Sequence, residues 1–299
     1  MKLSELAKQL DMEVVQVLRD CEVDSAELCT DVKGPHAVTY LEKEKFLSVL
    51  KGGAIAAVIC PETLAEKIPP HIQGILVTDS PKFAFYCLHN LLAERRQFKQ
   101  VPTQIGAGAD IAPTAYIAPY DVKIGKNVKI EPGAVIHPYV TIGDDVRIGA
   151  GTIVGSSSFS PVRYRDQAIT LLDCGTVEIG NYVEIRSLCS IERGVFENDV
   201  TVLADGVKID QLVLIGHGVH VGNRSFIVGN AYIAGNCVIG EDVWIGGNST
   251  ISNRIQIGDC ARVSLGSVVT KNVPAGQTVS GNFAIEHRRF LKNLKESIS

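Results

Sequence analysis

Aromatic residues are scarce: Trp, Tyr and Phe make up 6% of the 299 residues, with one tryptophan, and methionine occurs twice. A large globular core takes much of its volume from such side chains, so this chain must bury surface another way. Neither sign of charge predominates, since 29 basic against 33 acidic residues leave −4. That balance gives no bulk support to a nucleic-acid surface and excludes nucleic acid as the expected partner. No apolar run reaches the roughly 20 residues of a membrane span. The opening stretch MKLSELAKQLDMEVVQ carries acids in an amphipathic helix pattern and is unlike a secretion signal. The eight cysteines form no CxxC pair, which suits reduced thiols better than disulfides or a zinc site. The expectation is a soluble cytoplasmic protein without metal or permanently bound cofactor.

Glycine, valine and isoleucine are abundant instead, and the aliphatic residues keep a period of six. From Leu203 the series runs Ile209, Ile215, Val221, Ile227, Ile233, Ile239, Ile245, Ile251, Ile257, Val263 and Val269 without a break. An earlier series begins Ile105, Ile111, Ile117, slips by one residue, and continues from Ile124 to Val154. Ile179, Ile185 and Ile191 stay in phase with the later series, although Glu197 occupies the next anchor position. A period of six fits neither an α-helix nor an ordinary strand. It fits a parallel β-helix of triangular section, with three six-residue sides per coil and anchors pointing inward. Gly, Asn and Asp between the anchors suit corners that need positive φ. Coils about 4.8 Å apart make a prism roughly 45 Å long, and association of several prisms is expected.

Two parts fall outside the beat. Residues 1–100 alternate helical patterns with short apolar runs such as AIAAVIC and read as a small α/β domain. The stretch 155–177 reads as a loop ejected from the prism, long enough to suggest function. Domain boundaries follow at 1–100, 101–275 and 276–299, the last a basic amphipathic helical tail. The expected fold is mainly β: a β-helix of hexapeptide repeats, a small N-terminal α/β domain and a short C-terminal helix.

Three stretches carry a resemblance. They are LSELAKQL, AVTYLEKEKFLSVLKGGAIAAVIC, and above all GTVEIGNYVEIRSLCSIERGVFENDVTVLADGVKIDQLVLIGHGV, whose irregular part a generic hexapeptide repeat would not reproduce. The chain resembles the UDP-3-O-acylglucosamine N-acyltransferase family of lipid A biosynthesis from near residue 3 to about 275. The resemblance implies a left-handed prism, a homotrimer, a nucleotide-sugar substrate and an acyl thioester carried on acyl carrier protein. Acyl transfer to an amine needs a base titrating near neutrality, which a histidine supplies. His217, at a corner position, is the candidate base, and Asp210, beside Ile209, is the candidate to orient it, as the matching residues of the family do. Gly235 lies 18 residues after His217, and its N–H is the candidate oxyanion donor. Tyr40 and Phe46 match the two aromatic positions that stack uracil in the family, and Phe159 matches a phenylalanine at the sugar end.

The sequence departs from the family at Lys43, where an Asn contacts uridine, and at Arg254, where a second His is expected. Ser158 and Ser160 replace glycines beside Phe159, and the C-terminal extension is short. Lys43 and Arg254 can still meet phosphate oxygens. The stretch LGSVVTKNVPAGQTVSGNFA resembles the last coil of coenzyme A-dependent sugar acetyltransferases. Two alternatives follow: an acetyl-coenzyme A-dependent acetyltransferase on another nucleotide-linked amino sugar, and a paralogue that binds nucleotide sugar without turnover. A zinc enzyme resembling the γ-class carbonic anhydrases is disfavoured, because only His217 and His220 fall in the later series. The other histidines, His220 among them, are expected to be structural or solvated.

Overall fold

The computed structural model describes residues 1–29, 34–52, 55–95, 100–281 and 286–298. The chain divides into two compact units. One comprises residues 1–101 together with 157–176 and 193–199; the other comprises 102–156, 177–192 and 200–299.

The second unit is a left-handed parallel β-helix. Aliphatic residues at every sixth position face inward, and each two- or three-residue strand pairs in parallel with the strand one coil on. Ile209 pairs with Ile227 and Ile227 with Ile245 on one side. Ile215 pairs with Ile233 on the second side, and Val221 with Ile239 on the third. Among the described residues the three sheets hold nine, eight and eight strands. The anchors from Ile124 to Val263 merge into one buried column, whereas Ile105 on the first rung is 52% exposed. The last strand, Thr278–Val279, pairs with Arg262–Val263, so the repeat runs a few residues beyond 275.

The corners explain the residues between anchors. Asn127, Asp145, Asn230, Asn236 and Asn248 all adopt φ between 55° and 61°, as do several non-Asx residues, and Gly218 has φ 64°. This left-handed region favours Asn, Asp and Gly. Side chains then cap the corner N–H groups from a neighbouring coil. Lys126 N–H donates to Asp144, Asn181 N–H to Asp205 and Glu241 N–H to Asp259. A second form of cap uses an acid placed directly after an anchor: Glu131 accepts from Ala150 N–H and Asp210 from Gly229 N–H, both at 3.1 Å.

The first unit is built on a five-stranded sheet. Its order is Val15–Arg19, Gly74–Thr78, Ile55–Cys60, Ala37–Tyr40, Ser25–Ala26, with the first pair antiparallel and the rest parallel. Ile55–Cys60 is buried at every residue, as expected of a strand covered on both faces. Helix Pro81–Arg95 covers one face through Ala84, Phe85 and Leu88. The 3-10 segment Glu44–Gly52 and helix Glu62–Ala65 contribute Leu47, Leu50 and Leu64 to the cluster on the other. The stretch expected as an ejected loop is ordered within this unit. It forms an antiparallel hairpin, Pro161–Tyr164 with Gln167–Thr170, and Tyr164 packs 5.1 Å from Phe83 while its hydroxyl meets Asp79. Residues 193–199, which include the off-beat Glu197, also belong here, and Phe196 packs 5.8 Å from Phe85.

Candidate active site

After the strand Leu214–Ile215 the chain turns a corner at Gly216, His217 and Gly218. The same corner is occupied one coil on by Ala234, Gly235 and Asn236, and two coils on by Ser252, Asn253 and Arg254. Backbone bonds tie the coils together here: Asn236 N–H donates to the His217 carbonyl at 2.8 Å, and Arg254 N–H to that of Gly235 at 3.1 Å. The structure therefore brings His217, Gly235 and Arg254 into one column.

Gly235 is required by the histidine. A Cβ at Gly235 would lie 2.3 Å from His217 Nε2 and 2.7 Å from both Cδ2 and Cε1, so the imidazole rests flat on the Gly235 backbone. No side chain larger than hydrogen fits beneath that ring. The Gly235 N–H donates to no protein acceptor among the described residues. On the preceding-coil side, the His217 N–H donates to Glu192 Oε2 at 3.1 Å and the Gly218 N–H to the buried Thr201 hydroxyl at 2.9 Å. The corner is thus held from both neighbouring coils, with a half-buried imidazole and an unclaimed amide N–H adjoining. Cys237, two residues after Gly235, is no rival as a nucleophile. It is fully buried, burial pushes its thiol up, and it donates to the Ser252 carbonyl.

Asp210 sits elsewhere. It is exposed at the corner after Lys208–Ile209, its carboxylate caps Gly229, and one side of the triangle separates it from His217. At about 3.3 Å per extended residue that side spans roughly 15 Å, so Asp210 does not orient His217 within one chain. A groove of about 380 Å³ opens beside Asp210, walled by Lys208, Phe226 and Trp244. Phe226 and Trp244 meet edge to face at 5.9 Å, and the Arg262 guanidinium lies 5.1 Å over Trp244. This wall was missed from the sequence. Its signal is that Phe226, Trp244 and Arg262 precede successive anchors at intervals of 18. Glu192 was missed too, although it follows anchor Ile191 as Asp210 follows Ile209.

The residues matched to uridine binding lie in the α/β unit. Tyr40 packs with Phe85 at 5.0 Å and Tyr86 at 6.4 Å on the helix Pro81–Arg95 side of the sheet. Phe46 is on the 3-10 segment that packs the opposite face, exposed, with the Lys45 ammonium 4.9 Å over its ring. Lys43 is exposed just before that segment. Phe159 is 86% exposed. Its neighbour Ser158 is buried and clasped by buried Asp173, which accepts from the Ser158 N–H at 2.5 Å and from its hydroxyl at 2.9 Å. Among the remaining histidines, His71, His89 and His220 each donate through Nε2 to a backbone carbonyl, of Leu50, Leu172 and Val200 respectively. Among the described residues no group of three His, Cys, Asp or Glu side chains is placed to hold a metal ion. No helix among them is long and apolar enough to cross a membrane.

Comparison with known proteins bears on this arrangement. A profile described as bacterial transferase hexapeptide (six repeats) matches residues 121–156, and one described as the hexapeptide repeat of succinyl-transferase matches 237–271. The UDP-3-O-acylglucosamine N-acyltransferase of Rhizobium meliloti is 30% identical over 331 aligned positions, covering 99% of this chain and 92% of that protein. The chain belongs to the UDP-3-O-acylglucosamine N-acyltransferase family. The enzyme of that name from Campylobacter concisus is 29% identical, covering 95% of this chain and 94% of its own. Among solved structures, the UDP-N-acetylglucosamine acyltransferase of Campylobacter jejuni superposes with a TM-score of 0.54 at 28% identity, over 66% of this chain and 77% of that one. As a member of this N-acyltransferase family the protein is an acyltransferase of lipid A biosynthesis.

Proposed function

We propose that the protein transfers a 3-hydroxyacyl group from acyl carrier protein to the 2-amino group of UDP-3-O-acylglucosamine, in the cytoplasm, with His217 as general base. The observation that carries this reading is the His217 imidazole lying on Gly235, whose N–H is unclaimed. A base and an oxyanion donor one coil apart suit attack on a carbonyl placed over that corner.

The amine nitrogen attacks the thioester carbonyl while its proton passes to His217. The oxyanion is held by the Gly235 N–H. The tetrahedral intermediate then expels the carrier thiolate, which takes the proton from the imidazolium, leaving an amide and a free thiol. Arg254, further along the same column, meets a phosphate of the donor or acceptor, and the α/β unit contacts the nucleotide through Lys43 and Phe46, exposed on the same side of the sheet, while Tyr40, on the other face, forms no sandwich with Phe46. Phe159 contacts the sugar. Asp210 orients His217 only from a second copy, which a homotrimer supplies. Supporting that assembly, Leu188 and Leu212 share one prism corner with φ of 59° and 61°, yet are 61% and 54% exposed. Exposed leucines in a strained backbone are surface that a second prism covers.

The test is turnover of UDP-3-O-(3-hydroxyacyl)-glucosamine by purified protein, offered 3-hydroxyacyl carrier proteins of several lengths beside acetyl-coenzyme A. Turnover with carrier protein alone supports the reading. The stretch LGSVVTKNVPAGQTVSGNFA, which resembles the last coil of coenzyme A-dependent sugar acetyltransferases, favours one second reading, a coenzyme A donor. Turnover with acetyl-coenzyme A alone establishes that reading instead. Sedimentation at the mass of one chain would remove the trimer and Asp210's role with it.

A further inference from the structure

An acid directly after an anchor caps the next coil at three corners of the prism: Glu131 on Ala150, Asp210 on Gly229 and Glu192 on His217. The first two receive residues without a titratable side chain. The third receives the candidate base. The Glu192 carboxylate is half-buried, it follows a register irregularity opposite Ser156, and it bonds His217's own amide at 3.1 Å. It is therefore a carboxylate that a single chain brings to this histidine's backbone, whereas Asp210 lies one side of the triangle away.

We infer that Glu192 is a positioning residue: through the His217 N–H it fixes the corner that presents the imidazole, and its charge steadies the imidazolium formed in the reaction. This rests on reading His217 as the base. The imidazole already leans on Gly235, so a second restraint from the preceding coil leaves the ring little room to shift. A negative charge held beside the backbone of a residue whose ring becomes cationic lowers the energy of the protonated state. Other charged or titratable residues near this corner include Arg193, which directly follows Glu192 in the chain, Arg254, two coils on along the same corner, and His220 in the following strand, which donates to the Val200 carbonyl. Among these residues Glu192 carries the negative charge, the sign that favours a protonated imidazole.

Glu192→Gln separates charge from cap, because the amide oxygen still accepts from the His217 N–H. Two readouts are taken on the full-length protein. The first is the titration of His217 Cε1 by 13C-edited NMR, assigned with His217→Asn. The second is the pH profile of kcat/KM. In the Gln variant the His217 midpoint moves to lower pH, the acid limb of the profile moves with it, and plateau kcat falls about tenfold. Glu192→Asp keeps the charge at a longer reach, so its midpoint falls between wild type and Gln; it serves if the Gln variant does not fold. Midpoints equal to wild type in both variants would reduce Glu192 to a corner cap and overturn the inference. A shifted midpoint in a protein whose wild type transfers no acyl group leaves the coupling of Glu192 to His217 standing and brings down the proposed reaction instead.

Discussion

The prism and the α/β unit bury apolar surface by opposite routes. In the α/β unit, Leu3, Val38, Ile59, Phe85, Leu88 and Phe196 meet in one cluster although nearly 200 positions separate the first from the last. In the prism, anchors from Leu203 onward meet their equivalents 18 residues away, while offsets of 37 and 24 bridge the two interruptions, and the column grows by repetition. A corner residue there has its backbone bonded to the coils on both sides, so its side chain is placed within narrow limits. The residues expected to hold the nucleotide instead ride on a strand end and a short 3-10 segment, which nothing repeats.

The sharpest test of that contrast is at the best-braced corner. His217→Ala should lower kcat/KM about 10³-fold, the range of general-base catalysis, with thermal stability unchanged. Gly235→Ala should lower it about 100-fold, because the new Cβ displaces the ring and misplacement by about 1 Å suffices for such a loss. Gly247 is a matched control at another corner, where an added Cβ meets Gly229 O at 3.2 Å and Val228 Cγ1 at 3.5 Å. Gly247→Ala should stay within a few-fold of wild type. Equal losses in the two glycine variants would mean that the prism as a whole, and not this corner, is sensitive.

Core deletions probe the contrast next. Leu88→Ala and Ile233→Ala each remove a fully buried side chain at a cost of about 3 kcal/mol. Hydrogen exchange should distinguish them. Leu88→Ala should lower protection throughout the five-stranded sheet, whereas Ile233→Ala should lower it in the adjoining coils and fade along the prism, as nearest-neighbour energetics require. Uniform loss across all coils would erase the distinction.

The same contrast explains what was legible in the sequence. Period and register of the prism could be read directly, since its contacts are fixed offsets. The column of His217, Gly235 and Arg254 follows from offsets of 18 and 37. An offset of seven sets Asp210 and His217 at different corners of one chain, so a pairing of the two needs a second copy, and Glu192 was overlooked because residues 193–199 leave the repeat between it and His217. The 155–177 stretch read as a loop because its partners, Phe83 and Asp79, are remote in sequence. Tyr40 and Phe46, six residues apart, are associated with opposite faces of one sheet, which local spacing does not reveal.

Phe159 tests whether a non-repeating element can be as well braced as a corner. The two bonds to Asp173 from Ser158, with the Ser158 hydroxyl also 3.1 Å from that of Ser160, hold the loop so that Phe159 stays outward. Phe159→Ala should raise the acceptor KM about tenfold, the worth of a lost stacking contact of about 1.4 kcal/mol, with kcat little changed. Asp173→Asn should raise it several-fold, and the double variant should be no worse than Phe159→Ala. Additive effects would show that Asp173 serves the fold of the hairpin and not the placement of Phe159.

The smallest effect concerns acid. His89 in the α/β unit is buried, donates to Leu172 O at 2.7 Å and meets Phe196 edge-on at 5.0 Å. Burial outweighs the Leu172 bond and Asp199, and holds its pKa below the ordinary histidine value. The unfolded chain therefore binds this proton more readily than the folded one, and folded stability is fully present above the unfolded value of about 6.5. It falls as the pH drops below that value towards the folded pKa. The α/β unit should thus melt at lower temperature at pH 5 than at pH 7. His89→Gln keeps a donor for Leu172 without the titration, so it should flatten that slope while leaving stability near neutrality within about 1 kcal/mol. A slope unchanged in the Gln variant would assign the acid sensitivity to another group and leave the two units alike in their response to pH.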